Sequence, residues 1–197
     1  MTYYNDFFHS GRYAASERIF NFDRPTAQLR GKRWGIIGLG NIGREVGRLA
    51  EAFGCEVVYY STSGITRQER YRELSLEELL TTSDIISIHC PLNERTAGLI
   101  GDKELATMKS SAILINVARG GIVDEAALAP ALNNGVIRGA ALDVFSSEPL
   151  RESPLYNIKD KYRLLASPHN AWSSVEAIDR LIGCIAQNIA EYVQEHR

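Results

Sequence analysis

The chain has 197 residues, 45% of them hydrophobic and 23% charged, which is enough apolar material for one good core plus a small appendage. Lys and Arg number 22 against 24 Asp and Glu, and the net charge of −2 gives nothing that draws the chain to nucleic acid or to an anionic membrane surface. A small molecule is the expected partner.

Residues 1–30 are rich in aromatics (Tyr3, Tyr4, Phe7, Phe8, Tyr13, Phe20, Phe22) and read as a helix leading to a turn at Asp23-Arg24-Pro25. They form an arm suited to packing on a partner subunit or on a further domain. From Arg33 onward, short apolar runs alternate with helix-length segments, the pattern of a parallel sheet flanked by helices. Trp34–Ile37 is the first strand. Ile42–Phe53 is a helix with apolar residues at Ile42, Val46, Leu49 and Phe53, ended by Gly54. Val57–Tyr60 is a second strand, followed by a loop over Ser61–Arg67 and a helix around Leu76–Leu80. Asp84–Ile88 and Ala112–Asn116 are the third and fourth strands, with a short helix near Lys103–Met108 between them. A helix follows Asp124 to about Asn133 and is closed by Asn134-Gly135. Ala140–Val144 and Arg163–Ala166 make strands five and six, before a long amphipathic helix from about Ser173 to Val193. Such continuous apolar strands suit a sheet covered on both faces.

Cys55, Cys90 and Cys184 are too widely spaced for a zinc cluster or a disulfide framework and read as buried thiols, so no metal site is expected. The opening Met1-Thr2-Tyr3-Tyr4-Asn5-Asp6 lacks the basic start and apolar run of a signal peptide. No segment approaches the ~18 uninterrupted apolar residues of a membrane span. A soluble, cytoplasmic protein is expected.

Gly38-Leu39-Gly40-Asn41-Ile42-Gly43 follows an apolar strand directly and opens a helix, the context that a G-x-G-x-x-G phosphate loop requires. Gly38 allows the tight turn, Gly40 lets the backbone approach a pyrophosphate, and Gly43 permits close packing of helix on strand. The expected fold is therefore α/β: a Rossmann-type, doubly wound parallel sheet over residues 31–172, one cofactor-binding domain with the N-terminal helical arm before it and the C-terminal helix (173–197) after it. The acid that normally follows about 20 residues later, and accepts the ribose hydroxyls, falls on Ser61. A serine does not repel a 2′-phosphate, and Thr62, Ser63 and Arg67 offer donors to one. This tilts the expectation toward NADP or dual use.

Three further segments put polar residues after strands, on the edge where an open α/β sheet binds its ligand: Asn116-Val117-Ala118-Arg119-Gly120-Gly121, Asp143-Val144-Phe145-Ser146-Ser147-Glu148-Pro149 and Ser167-Pro168-His169-Asn170-Ala171-Trp172. With the glycine loop, these four ordered motifs resemble the cofactor domain of the D-isomer-specific 2-hydroxyacid dehydrogenases, from about Leu29 to the C-terminus. The resemblance implies that Arg119 binds the substrate's carboxylate and carbonyl, that His169 is the acid/base, and that Glu148 hydrogen-bonds His169. It implies cofactor contacts from Gly38, Gly40, Asn41, Ile42, Gly43, Ser61, Thr62, Cys90, Pro91, Thr96, Val117, Ala118, Arg119, Asp143 and His169, with Asp143 near the nicotinamide. Ala171-Trp172 after the histidine resembles the hydroxypyruvate/glycerate and lactate branches, pointing to a short 2-keto or 2-hydroxy acid. The resemblance also implies a homodimer, and a substrate domain of about a hundred residues ahead of the cofactor domain. The chain thus reads as the cofactor-binding half.

The chemistry accords with these residue types. Reducing a 2-keto acid takes a hydride from NAD(P)H and a proton to the carbonyl oxygen, and histidine's ordinary pKa near 6.5 suits it to that proton. A neighbouring carboxylate orients the imidazole, and an arginine's planar fork matches a carboxylate. His89 reads as a strand-end structural residue, and His9 and His196 as solvated. The alternative is an NAD(P)-sensing module of the same fold without turnover, although a sensor needs no proton donor. A Rossmann methyltransferase explains neither the arginine nor the Glu-Pro and Pro-His pairs.

Overall fold

The computed structural model describes residues 2–65 and 68–196. Arg67, a candidate 2′-phosphate donor, lies outside them. Helix α1 (Thr2–His9) comes first, then strand β1 (Arg33–Ile37), helix α2 (Asn41–Ala52) and strand β2 (Glu56–Tyr60). A two-residue strand β3 (Arg72–Glu73) and helix α3 (Leu76–Thr82) lead to β4 (Ile85–Ile88). Next come α4 (Asp102–Thr107), β5 (Ile113–Asn116), α5 (Glu125–Asn133), β6 (Gly139–Leu142), β7 (Leu164–Ala166) and α6 (Val175–Glu195). All seven strands are parallel, in the order β3-β2-β1-β4-β5-β6-β7. The order reverses at β1, the switch point where doubly wound sheets bind ligands.

The sheet has one strand more than the apolar runs predict. Arg72 and Glu73 are exposed and carry no apolar signal, and they pair only with Val58 and Tyr59 of β2. Several predicted strand boundaries also move by a residue or two. Asp84 stands outside β4, its carboxylate accepting from the Arg33 amide (2.9 Å) and Lys109 Nζ (3.2 Å). Asp143 and Val144 stand beyond β6, in the turn that leaves the sheet.

The core lies mainly on one face of the sheet, where Ile37, Ile86, Ile88 and Leu114 meet Leu79 and Leu80 of α3, Leu105 of α4 and Leu128 and Leu132 of α5. These aliphatic side chains are nearly or fully buried, and each contributes roughly 1.5–3 kcal/mol by leaving water. A smaller cluster around Ile36, Ala50, Val57 and Tyr59 seats α2 on the other face. The apolar repeat that marks α2 in the sequence is not its buried side: Ile42, Leu49 and Phe53 are exposed, while Gly43, Gly47 and Ala50 are buried. Gly47 lies against the Tyr71 ring, and Gly43 faces the sheet where the approach is close. A Cβ on Gly43 would stand 2.5 Å from the Gly38 carbonyl oxygen.

Beyond α2 that second face thins out. Ile113 and Ile115 of β5 are only half-buried and Leu165 of β7 is 58% exposed, so the expectation of cover on both faces holds only toward β1 and β2. No residue of α6 is buried, and Cys184, expected inside, is exposed on it.

The arm lies against its own domain. Tyr3 meets Tyr162 edge-on, Asp6 pairs with Lys161 at 2.6 Å, Arg24 pairs with Asp160 at 2.7 Å, and Arg138 donates to the Pro25 carbonyl at 2.6 Å.

Candidate active site

The register fixes the site. Ile37, Ile88, Asn116, Leu142 and Ala166 stand side by side at the carboxyl ends of five strands, with Tyr60 beside Ile37. The residues that follow them, Gly38, Ser61, His89, Val117, Asp143 and Ser167, therefore line one edge of the sheet.

The glycine loop has a different physical reason at each glycine. Gly38 holds a φ of 91° against Cys90, where a Cβ would come within 2.8 Å of backbone. Gly40 has nothing within 4 Å of the place its Cβ would take, so its face is open. It also caps α2 without any side-chain hydrogen bond, leaving first-turn amides of α2 directed at that opening. An open cradle of amides at a helix start fits a pyrophosphate. The cleft there has a volume of about 170 Å³, walled by Gly38–Gly40, Ser61–Ser63, Ile65, Glu69 and His89–Pro91. Asn41 and Ile42 stand exposed at its edge.

Thr96 is set apart from the other candidates. It is fully buried, its hydroxyl donating to the Pro91 carbonyl (2.7 Å) and accepting from the Asn93 amide (2.8 Å), so it shapes the loop after β4 and does not line the cleft. His89 is half-buried, and the desolvation pushes its pKa down to about 4; its Nε2 lies 3.0 Å from Ser87 Oγ. Burial pushes the Cys90 thiol up.

After β5, the chain turns on Asn116. This buried side chain accepts from the Ala118 amide (3.1 Å) and donates to the Arg119 carbonyl (2.9 Å), fixing the turn that presents exposed Val117 and Arg119. The same turn is pressed against the one after β6, because a Cβ on Gly120 would lie 1.7 Å from the Phe145 carbonyl oxygen. Adjacent strands thus bring Arg119 beside the third motif.

There, His169 Nδ1 meets Glu148 Oε2 at 2.6 Å. The His169 hydrogen bond, helped by the Phe145 amide on Oε1, holds the Glu148 carboxyl below its ordinary range. An ionised carboxylate only accepts, so Nδ1 carries the hydrogen and Nε2 is left for exchange. His169 has a φ of 51°, a left-handed conformation for a non-glycine residue. Its amide donates to the Asp143 carbonyl (2.8 Å) and its own carbonyl accepts from Trp172 Nε1 (2.9 Å). The Asp143 carboxylate is committed to the same loop, accepting from Ser167 Oγ (2.6 Å) and the amides of Asn170 (3.0 Å) and Ala171 (2.9 Å). Burial pushes its pKa up, but these donors outweigh burial and hold it down. At 3% exposure it is a brace for the histidine loop. The roles of Asn116, Asp143 and Trp172 as braces were not readable in the sequence; the Asn–x–Ala spacing is the one local signal, for an Asx turn.

A switch-point phosphate loop with a carboxylate-backed histidine and an arginine on adjacent turns defines a dinucleotide-binding α/β domain of the dehydrogenase kind. Residues 1–171 match the family model for the D-isomer specific 2-hydroxyacid dehydrogenase, NAD binding domain, and the chain belongs to that family. It is 42% identical over 93% of its length to a putative 2-hydroxyacid dehydrogenase of Haemophilus influenzae, covering 59% of that protein. It is 39% identical over 93% to a glycerate dehydrogenase of Methylorubrum extorquens, covering 57% of it. Among solved structures it resembles the D-lactate dehydrogenase of Aquifex aeolicus complexed with NAD and lactic acid, with a TM-score of 0.85 and 26% identity over 95% of this chain and 61% of that one. An acyclic imino acid reductase in complex with NADPH and D-Arg gives a TM-score of 0.82 and 30% identity over 96% of this chain and 60% of that one. The chain spans about 60% of the length of the relatives it matches.

Proposed function

We propose that the chain binds NAD or NADP along this edge and, in the complete protein, serves hydride transfer between NAD(P)H and a short 2-keto acid, or the reverse from a D-2-hydroxy acid. The observation that carries this is the 2.6 Å Glu148–His169 contact, locked in one orientation beside the Arg119 turn. The amides of Gly40–Gly43 hold the pyrophosphate, and Val117 and Ala118 line the path toward the nicotinamide. When bound, the nicotinamide supplies the hydride. Arg119 grips the substrate carboxylate and polarises its carbonyl, and His169 Nε2 gives the carbonyl oxygen its proton. Glu148 keeps Nδ1 protonated and steadies the imidazolium before that transfer. Relatives named hydroxypyruvate reductase, glycerate dehydrogenase and glyoxylate reductase make hydroxypyruvate and glyoxylate the first substrates to try.

In the complete protein, His169→Asn is expected to lower kcat by about 10²- to 10⁴-fold while dinucleotide affinity stays put. Turnover within about twofold of the parent would remove the assignment. Binding without any turnover by the parent would instead favour the sensing module. Expressed alone, the 197 residues are expected to bind dinucleotide and turn over little, because Arg119 is exposed and His169 only half-buried, so water reaches both. At the 2′ end we propose NADP or dual use, supported by Ser61 in the acid's place. We further propose a homodimer working in the cytoplasm.

A further inference from the structure

Ser61 removes a carboxylate from the end of β2 but brings no positive charge in its place. The loop it opens folds on its own hydroxyls: Ser61 Oγ and Ser63 Oγ lie 3.1 Å apart, and the Ile65 amide donates to Ser63 Oγ at 3.2 Å. Across the mouth of the cleft stands the loop after β4, which is firmly built. Buried Thr96 pins it to Pro91 and Asn93, and Asn93 Oδ1 accepts from the Arg95 amide at 2.9 Å. From this fixed backbone the Arg95 side chain reaches the loop after β2 at the edge of the cleft, where Nη1 donates to the Ser63 carbonyl at 3.2 Å.

Charge distinguishes Arg95 from its neighbours. Arg44 is paired with Glu69 on the cleft wall, Arg70 with Glu51 and Arg72 with Glu78. Arg95 has no ion pair among the described residues; it spends one donor on a neutral carbonyl and is exposed. A guanidinium carries five donors in a planar fork that matches a phosphate, so most of its bonding capacity is unused. With Glu69 paired to Arg44, the described residues at this end of the cleft include a guanidinium without an ion pair beside two hydroxyl groups.

We propose that Arg95, reaching from the opposite wall, is the cation that reads the 2′ end of the cofactor and, with the hydroxyls of Ser61 and Ser63, gives the site its capacity for a 2′-phosphate. This rests on the reading of the chain as a dinucleotide-binding domain. Arg95 is a specificity residue, since the 2′ position is remote from the reacting atoms.

The test is calorimetric titration of the chain with NADPH and NADH, and with 2′,5′-ADP and 5′-ADP as probes without nicotinamide. Arg95→Gln is expected to weaken NADPH and 2′,5′-ADP on the order of tenfold or more, as loss of a charge-assisted bond does, and to leave NADH and 5′-ADP within about twofold. Arg95→Lys keeps the charge without the fork and should fall between. The parent's NADPH affinity should also drop more steeply with salt than its NADH affinity, and the difference should vanish in Arg95→Gln. Equal weakening of all four ligands would make Arg95 an adenine contact or a loop brace and overturn the proposal. Unchanged NADPH affinity in Arg95→Gln overturns it too, as does parent NADH binding tenfold tighter than NADPH. A parent that binds none of the four takes down the underlying reading as well, and is recognised before any variant is made. Because residue 95 is exposed, an unchanged unfolding midpoint serves as the check that the variants fold.

Discussion

His169 shows how much surrounding structure one side chain needs. A non-glycine residue in the left-handed region costs on the order of 1–3 kcal/mol, and it is held there by the Asp143 carbonyl, the Trp172 indole and the Glu148 carboxylate together. His89 is a different case, half-buried, with desolvation lowering its pKa to about 4 from an ordinary 6.5. The unfolded chain takes up a proton at this residue below pH 6.5 while the folded chain refuses it until about 4. Stability is therefore expected to fall as pH drops through that window and, for this group, to level off below it. Urea unfolding of the parent and of His89→Gln across the window measures this. The variant should lose less stability with acid, and parallel curves would show that another group carries the dependence.

At the scale of elements, the strands and the glycine loop were legible because their signals are local: an apolar run, a turn glycine, a helix start. The inward side of α2 was not. Its apolar residues Ile42, Leu49 and Phe53 face out, since the helix packs too closely for a side chain at Gly43, against the Gly38 backbone, or at Gly47, against the Tyr71 ring. Strand β3 was missed for the opposite reason, as an exposed two-residue edge leaves no pattern. The contact between the turns after β5 and β6 was equally hidden. It leads to a prediction: Gly120→Ala places a methyl group against the Phe145 backbone, which cannot swing aside as a side chain does. It is expected to cost about 1–3 kcal/mol of stability and to displace Arg119. Chemical unfolding at the parent's stability would show that the two turns do not press on each other.

Over the whole molecule, the apolar surface is unevenly covered. Phe8, Ile19, Phe20 and Phe22 of the arm are more than 60% exposed, α2 turns Ile42 and Phe53 outward, and α6 buries nothing. Exposed apolar residues of this kind suit the interface of the homodimer proposed above. The arm's polar anchors to Asp160, Lys161 and Arg138 hold it in place while its aromatics remain available. Removing residues 1–30 is therefore expected to shift the sedimentation coefficient from dimer toward monomer, and an unchanged coefficient would end the homodimer proposal. Sequence by itself determined the alternation of strands and helices, the phosphate loop and the residue types that suit keto-acid reduction, because each is written in spacing over a few residues. Tertiary structure alone decided that Arg119, Glu148 and His169 share one sheet edge, that Asp143 and Trp172 are spent on holding the histidine, and that Arg95 crosses to Ser63. Those relations depend on strand register and on contacts between segments far apart in the chain, which no local pattern encodes.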